Sequence, residues 1–128
     1  MKRFFAGVLA VAVVGLVAAP AFAAVETVTG TLVDQGCYMK DKVNNLGVDH
    51  KMPADVKGCA IGCAKKGLPL AVVTKDGKVY SIAGGLAADN NAKLVAHMGH
   101  TIAVTGDVVT KGDVNTITSS ELKMVSAK

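Results

Sequence analysis

Hydrophobic and polar residues alternate along residues 25–34, and the Val and Thr content of this segment is typical of a β-strand. Gly30 lies within the segment, where a glycine predicts a bend or a bulge. Two further Val-containing segments, 70–74 and 78–82, flank an Asp-Gly dipeptide. Because Asp-Gly favours the tight turn of a β-hairpin, these two segments are predicted to be paired strands.

The last third of the chain contains two more segments of this kind, 101–107 and 114–125, separated by a turn at 111–113. The second of them is long enough to form a bent strand. Between the third and the fourth strand, residues 91–98 are predicted to form a short helix or turn that ends at Gly99.

Residues 54–66 follow a helical rather than an alternating periodicity, and they are predicted to form a helix that Pro53 opens. Gly67 suits the position just after the helix, where a left-handed residue commonly ends it. Gly58 and Gly62 weaken such a helix by roughly 1 kcal/mol each relative to Ala, and they would allow other backbone to come close. The predicted apolar face consists of Val56, Cys59, Ala60 and Cys63.

The order of these elements predicts the fold. Residues 35–52 are polar and contain several turn-forming residues, so they are expected to be a long loop before the helix. Five strands with a helical segment between the third and the fourth is the order of an OB-fold barrel. We therefore expect a mainly β protein, with a five-stranded OB-fold-like barrel, a short helix inserted between strands 1 and 2 and another between strands 3 and 4.

Residues 1–23 have the pattern of a cleaved signal peptide. Two basic residues precede an uncharged apolar run at 4–19, and Ala-Phe-Ala at 21–23 matches a cleavage site. A transmembrane anchor is the alternative, but the run is short for the roughly 20 residues that a span needs. We expect an exported protein, periplasmic or secreted, with one domain at 24–128 and no membrane insertion after cleavage.

Charge and aromatic content argue against one common role of OB-folds. Two of the 14 Lys and Arg residues lie in the signal segment, which leaves twelve basic and ten acidic residues. All three Phe lie there as well, so Tyr38 and Tyr80 are the aromatic residues of the remaining chain. Because single-stranded nucleic acid is bound by aromatic stacking in a basic groove, we expect no nucleic acid partner. An unknown protein partner stays open.

The residues that carry chemistry are three cysteines, Cys37, Cys59 and Cys63. On a helix, Cys59 and Cys63 would share one face with Cβ atoms about 5–6 Å apart, farther than the roughly 3.5–4.5 Å of a disulfide. Cys37 could bridge to either of them, and the chain-entropy model gives such a loop about 3 kcal/mol of stabilisation. An oxidising compartment favours this disulfide, which would leave one thiol over.

A metal site is the alternative for the same residues. Two thiolates on one helix face and a third from the preceding loop would form a three-sulfur corner, and soft thiolates select Zn²⁺, Cu⁺ or an Fe–S cluster. His50, in the same loop as Cys37, is the nearest candidate for a fourth ligand. Lys57, Lys65 and Lys66 would favour thiolates if they lay near the sulfurs, although a solvated helix face is their simpler interpretation.

Residues 97–100, His-Met-Gly-His, carry two imidazoles around a thioether, a combination that suits copper. A turn that leads into the fourth strand is the simpler interpretation, because three spaced residues are a weak motif. Met39 and Met52 are interpreted as gap-filling or exposed loop residues rather than ligands.

Four patterns together carry a resemblance to a family. The first strand ends in Asp-Gln-Gly-Cys at 34–37, and residues 59–69 contain Cys-Ala-x-x-Cys-x-x-x-Gly-x-Pro. Asp-Gly-Lys-Val-Tyr follows at 76–80 and Val-Thr-Gly at 104–106. Over nearly all of 25–125, the chain resembles small exported bacterial OB-fold proteins of poorly assigned function. The resemblance implies the fold and the compartment more than an activity.

The sequence contains no phosphate-binding loop, no G-x-S-x-G, no H-E-x-x-H and no C-x-x-C motif, so an enzyme is not expected. Three hypotheses follow. The first is a metal-binding or metal-handling protein that uses Cys37, Cys59 and Cys63, with His50. The second is an interaction or small-ligand-binding module in which Cys37 is disulfide-bonded to Cys59 or Cys63. The third is a thiol redox partner.

Overall fold

The computed structural model of the chain describes residues 24–45 and 52–127. The predicted signal peptide, 1–23, and the candidate ligand His50 lie outside the described residues. The strands of the sheet are β1 (Ala24–Asp34), β2 (Leu70–Val73), β3 (Val79–Ala83), β4 (Thr101–Lys111), β5 (Val114–Thr118) and β6 (Leu122–Ser126). The helices are α1 (Gln35–Lys40) and α2 (Ala54–Lys65), and shorter helical turns lie at Val43–Asn45, Gly84–Ala87, Ala88–Asn91 and Val95–His97.

The sheet closes on itself because β1 pairs with two strands. Residues 24–31 pair antiparallel with β4 at 101–108, and residues 31–34 pair antiparallel with β2 at 70–73. β2 pairs with β3, β3 runs parallel to β5, and β5 pairs with β4, which completes the ring. The expected five-stranded OB-fold-like barrel is therefore confirmed, with short helices after β1 and after β3.

Gly30 lies next to the point where β1 changes partner. A Cβ at this position would overlap the backbone carbonyl of Val73 on β2. Gly106 on β4 is under the same constraint, because a Cβ there would overlap the carbonyl of Thr118 on β5. Glycine is therefore required at both positions for the strands of the ring to approach each other this closely.

The end of the chain differs from the prediction. Residues 114–125 form two strands with a short turn between them, rather than one bent strand. Ser119 explains the break, because its hydroxyl donates to the carbonyl of Thr105 (2.7 Å) and accepts a hydrogen bond from the amide of Glu121 (3.2 Å). β6 then pairs with the first part of β4 as a sixth strand beyond the five of the ring.

The segment after β1 also differs from the prediction of a loop. Residues 35–40 form α1, and a 3₁₀ turn follows at Val43–Asn45. α1 begins because Asp34 caps it, with Oδ1 accepting a hydrogen bond from the amide of Cys37 at 2.7 Å. Asn45 holds the other end by donating to the carbonyls of Cys37 (3.2 Å) and Asp41 (2.6 Å).

α2 has the predicted bounds to within one residue, but its buried face is different. Ala60 and Ala64 are fully buried, whereas Cys63 is half-buried and Cys59 is exposed. The fully buried part of the contact is made by these two alanines, and the partly buried Val56 and Ile61 pack beside it. No helix in the described part of the chain is long and apolar enough to cross a membrane.

The two glycines of α2 do not serve close packing. A Cβ at Gly58 or at Gly62 would meet no heavy atom within 4 Å. The expected approach of other backbone at these positions is therefore wrong, and both glycines are open to substitution.

Successive side chains of β1 point to opposite faces of the sheet, and they enter two different apolar clusters. Leu32 is fully buried in the barrel core with Ile102 and Ile117, and Ala60 and Ala64 of α2 belong to the same cluster. The next residue, Val33, belongs to a second cluster that attaches α1 and the start of α2 to the outside of the barrel. Its other members are Tyr38, Met52, Ala71 and Val73.

Candidate functional site

Asp34 and Cys37 are positioned where β1 passes into α1. Asp34 is the last residue of β1 and is only 3% exposed. Cys37 is the third residue of α1 and is half-buried. The amide of Gln35 donates to the carbonyl of Pro69 (3.1 Å), which ties this junction to the segment that follows α2.

Cys63 lies at the end of α2, where a Schellman motif fixes the backbone. The amide of Gly67, at φ +79°, donates to the carbonyl of Ala64 (2.9 Å), and the amide of Leu68 donates to the carbonyl of Cys63 (3.2 Å). The sequence signal at Gly67 therefore predicted this helix end correctly. Cys59 lies one turn earlier on the same side of the helix.

Asn91 secures the end of α2 from outside the helix. Its amide nitrogen donates to the carbonyls of Ala64 and Leu68, both at 2.9 Å, and the residue is 3% exposed. Asn91 adopts φ +58°, a left-handed conformation that asparagine tolerates better than most residues. The segment between β3 and β4 thus holds the cysteine-bearing helix in place.

These elements bring the three cysteines and Asp34 into one cluster. Cys37 and Cys63 each interact electrostatically with Asp34 and with Cys59, and Cys37 also interacts with Cys63. The metal site predicted from these cysteines stays a prediction.

The environment raises the pKa of two of the thiols, Cys37 and Cys63. Burial, followed by contact with Asp34 and its negative charge, raises the pKa of the Cys37 thiol to about 11, and Cys59 and Cys63 add to the shift. Burial and the charges of Asp34 and Cys59 also raise the pKa of Cys63, while Lys66 lowers it. Of the three lysines considered above, Lys66 acts in the expected direction on Cys63, but the net shift is upward.

Asp34 is the residue that sequence reasoning missed as a site member. Its Oδ1 accepts the hydrogen bond from the amide of Cys37, but its Oδ2 is buried and has no hydrogen-bond partner among the described residues. A buried carboxylate oxygen without a partner costs free energy, so it indicates a ligand or a bound ion. Asp-x-x-Cys at the end of a predicted strand was the available signal, because Asp is a preferred N-cap residue.

The side chains of the cluster do not form a metal coordination sphere as they stand. Within residues 24–45 and 52–127, no three His, Cys, Asp or Glu side chains lie in an arrangement that could hold a metal ion. Cys37, Cys59 and Cys63 are all free thiols, so no disulfide links the described cysteines. His50 belongs to the part of the chain that is not described.

The raised pKa of Cys37 predicts slow alkylation. At pH 8 we expect iodoacetamide to modify Cys37 about tenfold more slowly in the folded protein than in urea, because the smaller thiolate fraction outweighs the higher nucleophilicity of a more basic thiolate. Asp34→Asn removes the negative charge and should speed the reaction. Peptide mass mapping over time measures the rate at each cysteine, and equal rates in folded and unfolded protein would contradict the shift.

The same shift has a consequence for stability against pH. Below pH 9 the Cys37 thiol is protonated in both the folded and the unfolded chain, so the free energy of unfolding does not change on its account. Between about pH 9 and pH 11 the unfolded chain loses this proton first, because the folded pKa is raised to about 11. The contribution of Cys37 to stability is therefore lost as the pH rises through this window.

A groove of about 630 Å³ lies elsewhere on the barrel, lined by residues such as Thr27, Thr105 and Ser119. Three of its hydroxyl groups bond within the protein, since Thr27 Oγ1 and Thr105 Oγ1 are 2.8 Å apart and the Ser119 hydroxyl donates to the carbonyl of Thr105.

Comparison of the chain with models of protein families, with curated proteins and with solved structures gave no match. The resemblance to small exported OB-fold proteins therefore stays a prediction from the sequence patterns.

Proposed function

We propose that this protein is an exported metal-binding or metal-handling module, periplasmic or secreted, that binds a soft cation such as Zn²⁺ or Cu⁺. Cys37, Cys59 and Cys63 supply thiolates, and Asp34 or His50 supplies the fourth ligand. The observation that carries the proposal is the buried, unpartnered Oδ2 of Asp34 beside three free thiols.

The electrostatics of the cluster favour a cation. Burial raises the pKa values of Cys37 and Cys63 most, and the negative charge of Asp34 raises them further. A bound cation reverses this effect, because it stabilises thiolates and carboxylate together and displaces the thiol protons. The chemistry of the donor set, three sulfurs and one oxygen or nitrogen, suits Zn²⁺ or Cu⁺ better than a hard ion.

Binding requires the ligands to move closer together, and the structure leaves room for this. Cys59 is exposed, so a change of its χ1 rotamer moves its sulfur without displacing α2. Asp34 and the capped start of α1 are held by the barrel and provide the fixed side of the site.

The two other hypotheses find less support. A redox-active cysteine is normally a thiolate of lowered pKa, whereas the pKa of Cys37 is raised to about 11. A disulfide from Cys37 to Cys59 or Cys63 would leave one free thiol and would remove two of the three proposed thiolate ligands.

Intact mass and thiol protection test the proposal. Without metal, we expect the mass of the fully reduced chain and three alkylatable thiols. With one equivalent of Zn²⁺, or of Cu⁺ under anaerobic conditions, we expect a metal adduct in native mass spectrometry and three thiols protected until a chelator is added. A protein that lacks two hydrogens and binds neither ion would refute the proposal and support the disulfide-stapled module.

A further inference from the structure

The turn at 97–100, which is not part of the cysteine cluster, also contains buried side-chain nitrogens that could bind a ligand. The Nδ1 atoms of His97 and His100 are both buried and have no hydrogen-bond partner within residues 24–45 and 52–127. Their rings lie edge to face, with centroids 5.7 Å apart and an interplanar angle of 73°. Two adjacent imidazole nitrogens withdrawn from water and left unpaired indicate a missing partner.

The backbone holds the two imidazoles side by side. The amide of His100 donates to the carbonyl of His97 (2.9 Å), Met98 adopts φ −57° and ψ 126°, and Gly99 adopts φ +77°, which together define a type II β-turn. The turn is fixed to β1, because Gly99 donates to the carbonyl of Leu32 (2.9 Å) and Leu32 donates to the carbonyl of His100 (3.0 Å). The two histidines therefore occupy a rigid position rather than a mobile loop.

A soft third donor lies beside this turn. The thioether of Met52 is only 3.6 Å from the position that a Cβ on Gly99 would occupy, and Met52 is 5% exposed. The sulfur of Met52 thus packs against the glycine between the two histidines. Thioether sulfur is a soft donor, which extends the two imidazoles of the turn to a possible set of three ligands.

We propose that His97 and His100, with Met52 as the thioether ligand, form a binding site for Cu⁺ that is separate from the cysteine cluster. Imidazole and thioether together select monovalent copper over hard cations. Lys57 on α2 lies close enough to His100 for its positive charge to act on the imidazole. The positive charge of Lys57 disfavours a divalent ion more than a monovalent one.

A cysteine-free background isolates this site. In the purified full chain carrying Cys37→Ser, Cys59→Ser and Cys63→Ser, we expect one equivalent of Cu⁺ to bind in anaerobic competition with a chromophoric Cu⁺ chelator. Adding His97→Ala with His100→Ala should weaken binding by about 100-fold or more, and Met52→Leu by about tenfold. Leucine keeps the volume of methionine, and Met124→Leu, at an exposed methionine on β6, is the matched control and should change nothing.

A second measurement does not depend on the histidine variants folding. Silver ion, a redox-inert stand-in for Cu⁺, should shift the Nδ1 resonances of both histidines and the methyl resonance of Met52, and leave Met124 unchanged. Unaltered Cu⁺ affinity in the folded double histidine variant, absence of these shifts, or tighter binding of Zn²⁺ than of Cu⁺ would each overturn the site. Equal responses of Met52 and Met124 would overturn the thioether ligand. Because the background lacks the cysteines, failure here leaves the proposed cysteine site unaffected.

Discussion

Replacing Cys63 by serine is expected to lower the affinity of the reduced protein for Zn²⁺ by about 100-fold or more. A ligand next to the metal contributes at least as much as an outer partner, whose loss typically costs about 10–100-fold. The effect should be largest at Cys63 and Cys37, which are half-buried near the fixed carboxylate, and smaller at the exposed Cys59. Competition with a zinc-binding dye measures the affinity, and a pH-stat measures the protons that the thiols release.

Asp34→Asn tests whether the carboxylate is the fourth ligand. Asparagine retains an oxygen that can accept the hydrogen bond from the amide of Cys37, so the cap of α1 is preserved. We expect a loss of about tenfold or more in Zn²⁺ affinity. Asp113→Asn, in the exposed turn before β5, is the matched control. If Asp34→Asn binds normally and His50→Ala does not, the histidine is the fourth ligand.

Gly30→Ala is expected to be strongly destabilising, as is Gly106→Ala on β4. The new Cβ at position 30 would overlap the carbonyl of Val73, and backbone on a paired strand cannot move aside as a flexible side chain would. Overpacking of this kind costs about 3 kcal/mol or more. For a domain of this size the midpoint of thermal unfolding should fall by more than about 10 °C, which differential scanning calorimetry measures.

Gly58→Ala is the matched control for that substitution. It adds the same methyl group in α2, where a Cβ meets nothing within 4 Å, and it should raise the free energy of unfolding by about 0.5–1 kcal/mol. Opposite signs for the two substitutions are therefore expected. Equal and small changes in the free energy of unfolding for the two substitutions would show that β1 and β2 are farther apart at Gly30 than in this structure.

The barrel was predictable from the sequence because its signals are local. The alternation at 25–34 and the Asp-Gly turn before β3 each follow from the geometry of a strand or a tight turn. Gly67 marked the end of α2 for the same reason, since a left-handed residue there is a local requirement. The order of the elements then left few alternatives to an OB-fold-like arrangement.

The errors arose where distant contacts decide the local structure. The strand at 114–125 is broken because the hydroxyl of Ser119 bonds to the carbonyl of Thr105 on β4, a partner that periodicity does not reveal. α1 forms at a segment without helical periodicity, because Asp34 caps it and Tyr38 packs beside Met52. Tertiary contacts overrode local propensity in both cases.

The candidate site was half predictable. Cys59 and Cys63 lie on α2, four residues apart as the sequence spacing requires, and both interact electrostatically with Cys37. The exposure of Cys59 was not expected, because the alanines one position later, Ala60 and Ala64, form the buried face. The role of Asp34 depends on burial of one carboxylate oxygen, and burial of single atoms cannot be read from spacing.

The small contact between α2 and the barrel has a consequence for motion. The fully buried residues of α2 are two alanines, and Val56 and Ile61 are only partly buried, so detachment of the helix should need less free energy than loss of the closed sheet. Backbone amides in α2 would then exchange with deuterated solvent through excursions in which β1 to β5 stay assembled. An ion bound by both the carboxylate of β1 and the sulfurs of α2 would suppress those excursions first. A decrease in deuterium uptake in α2 would therefore report ion binding.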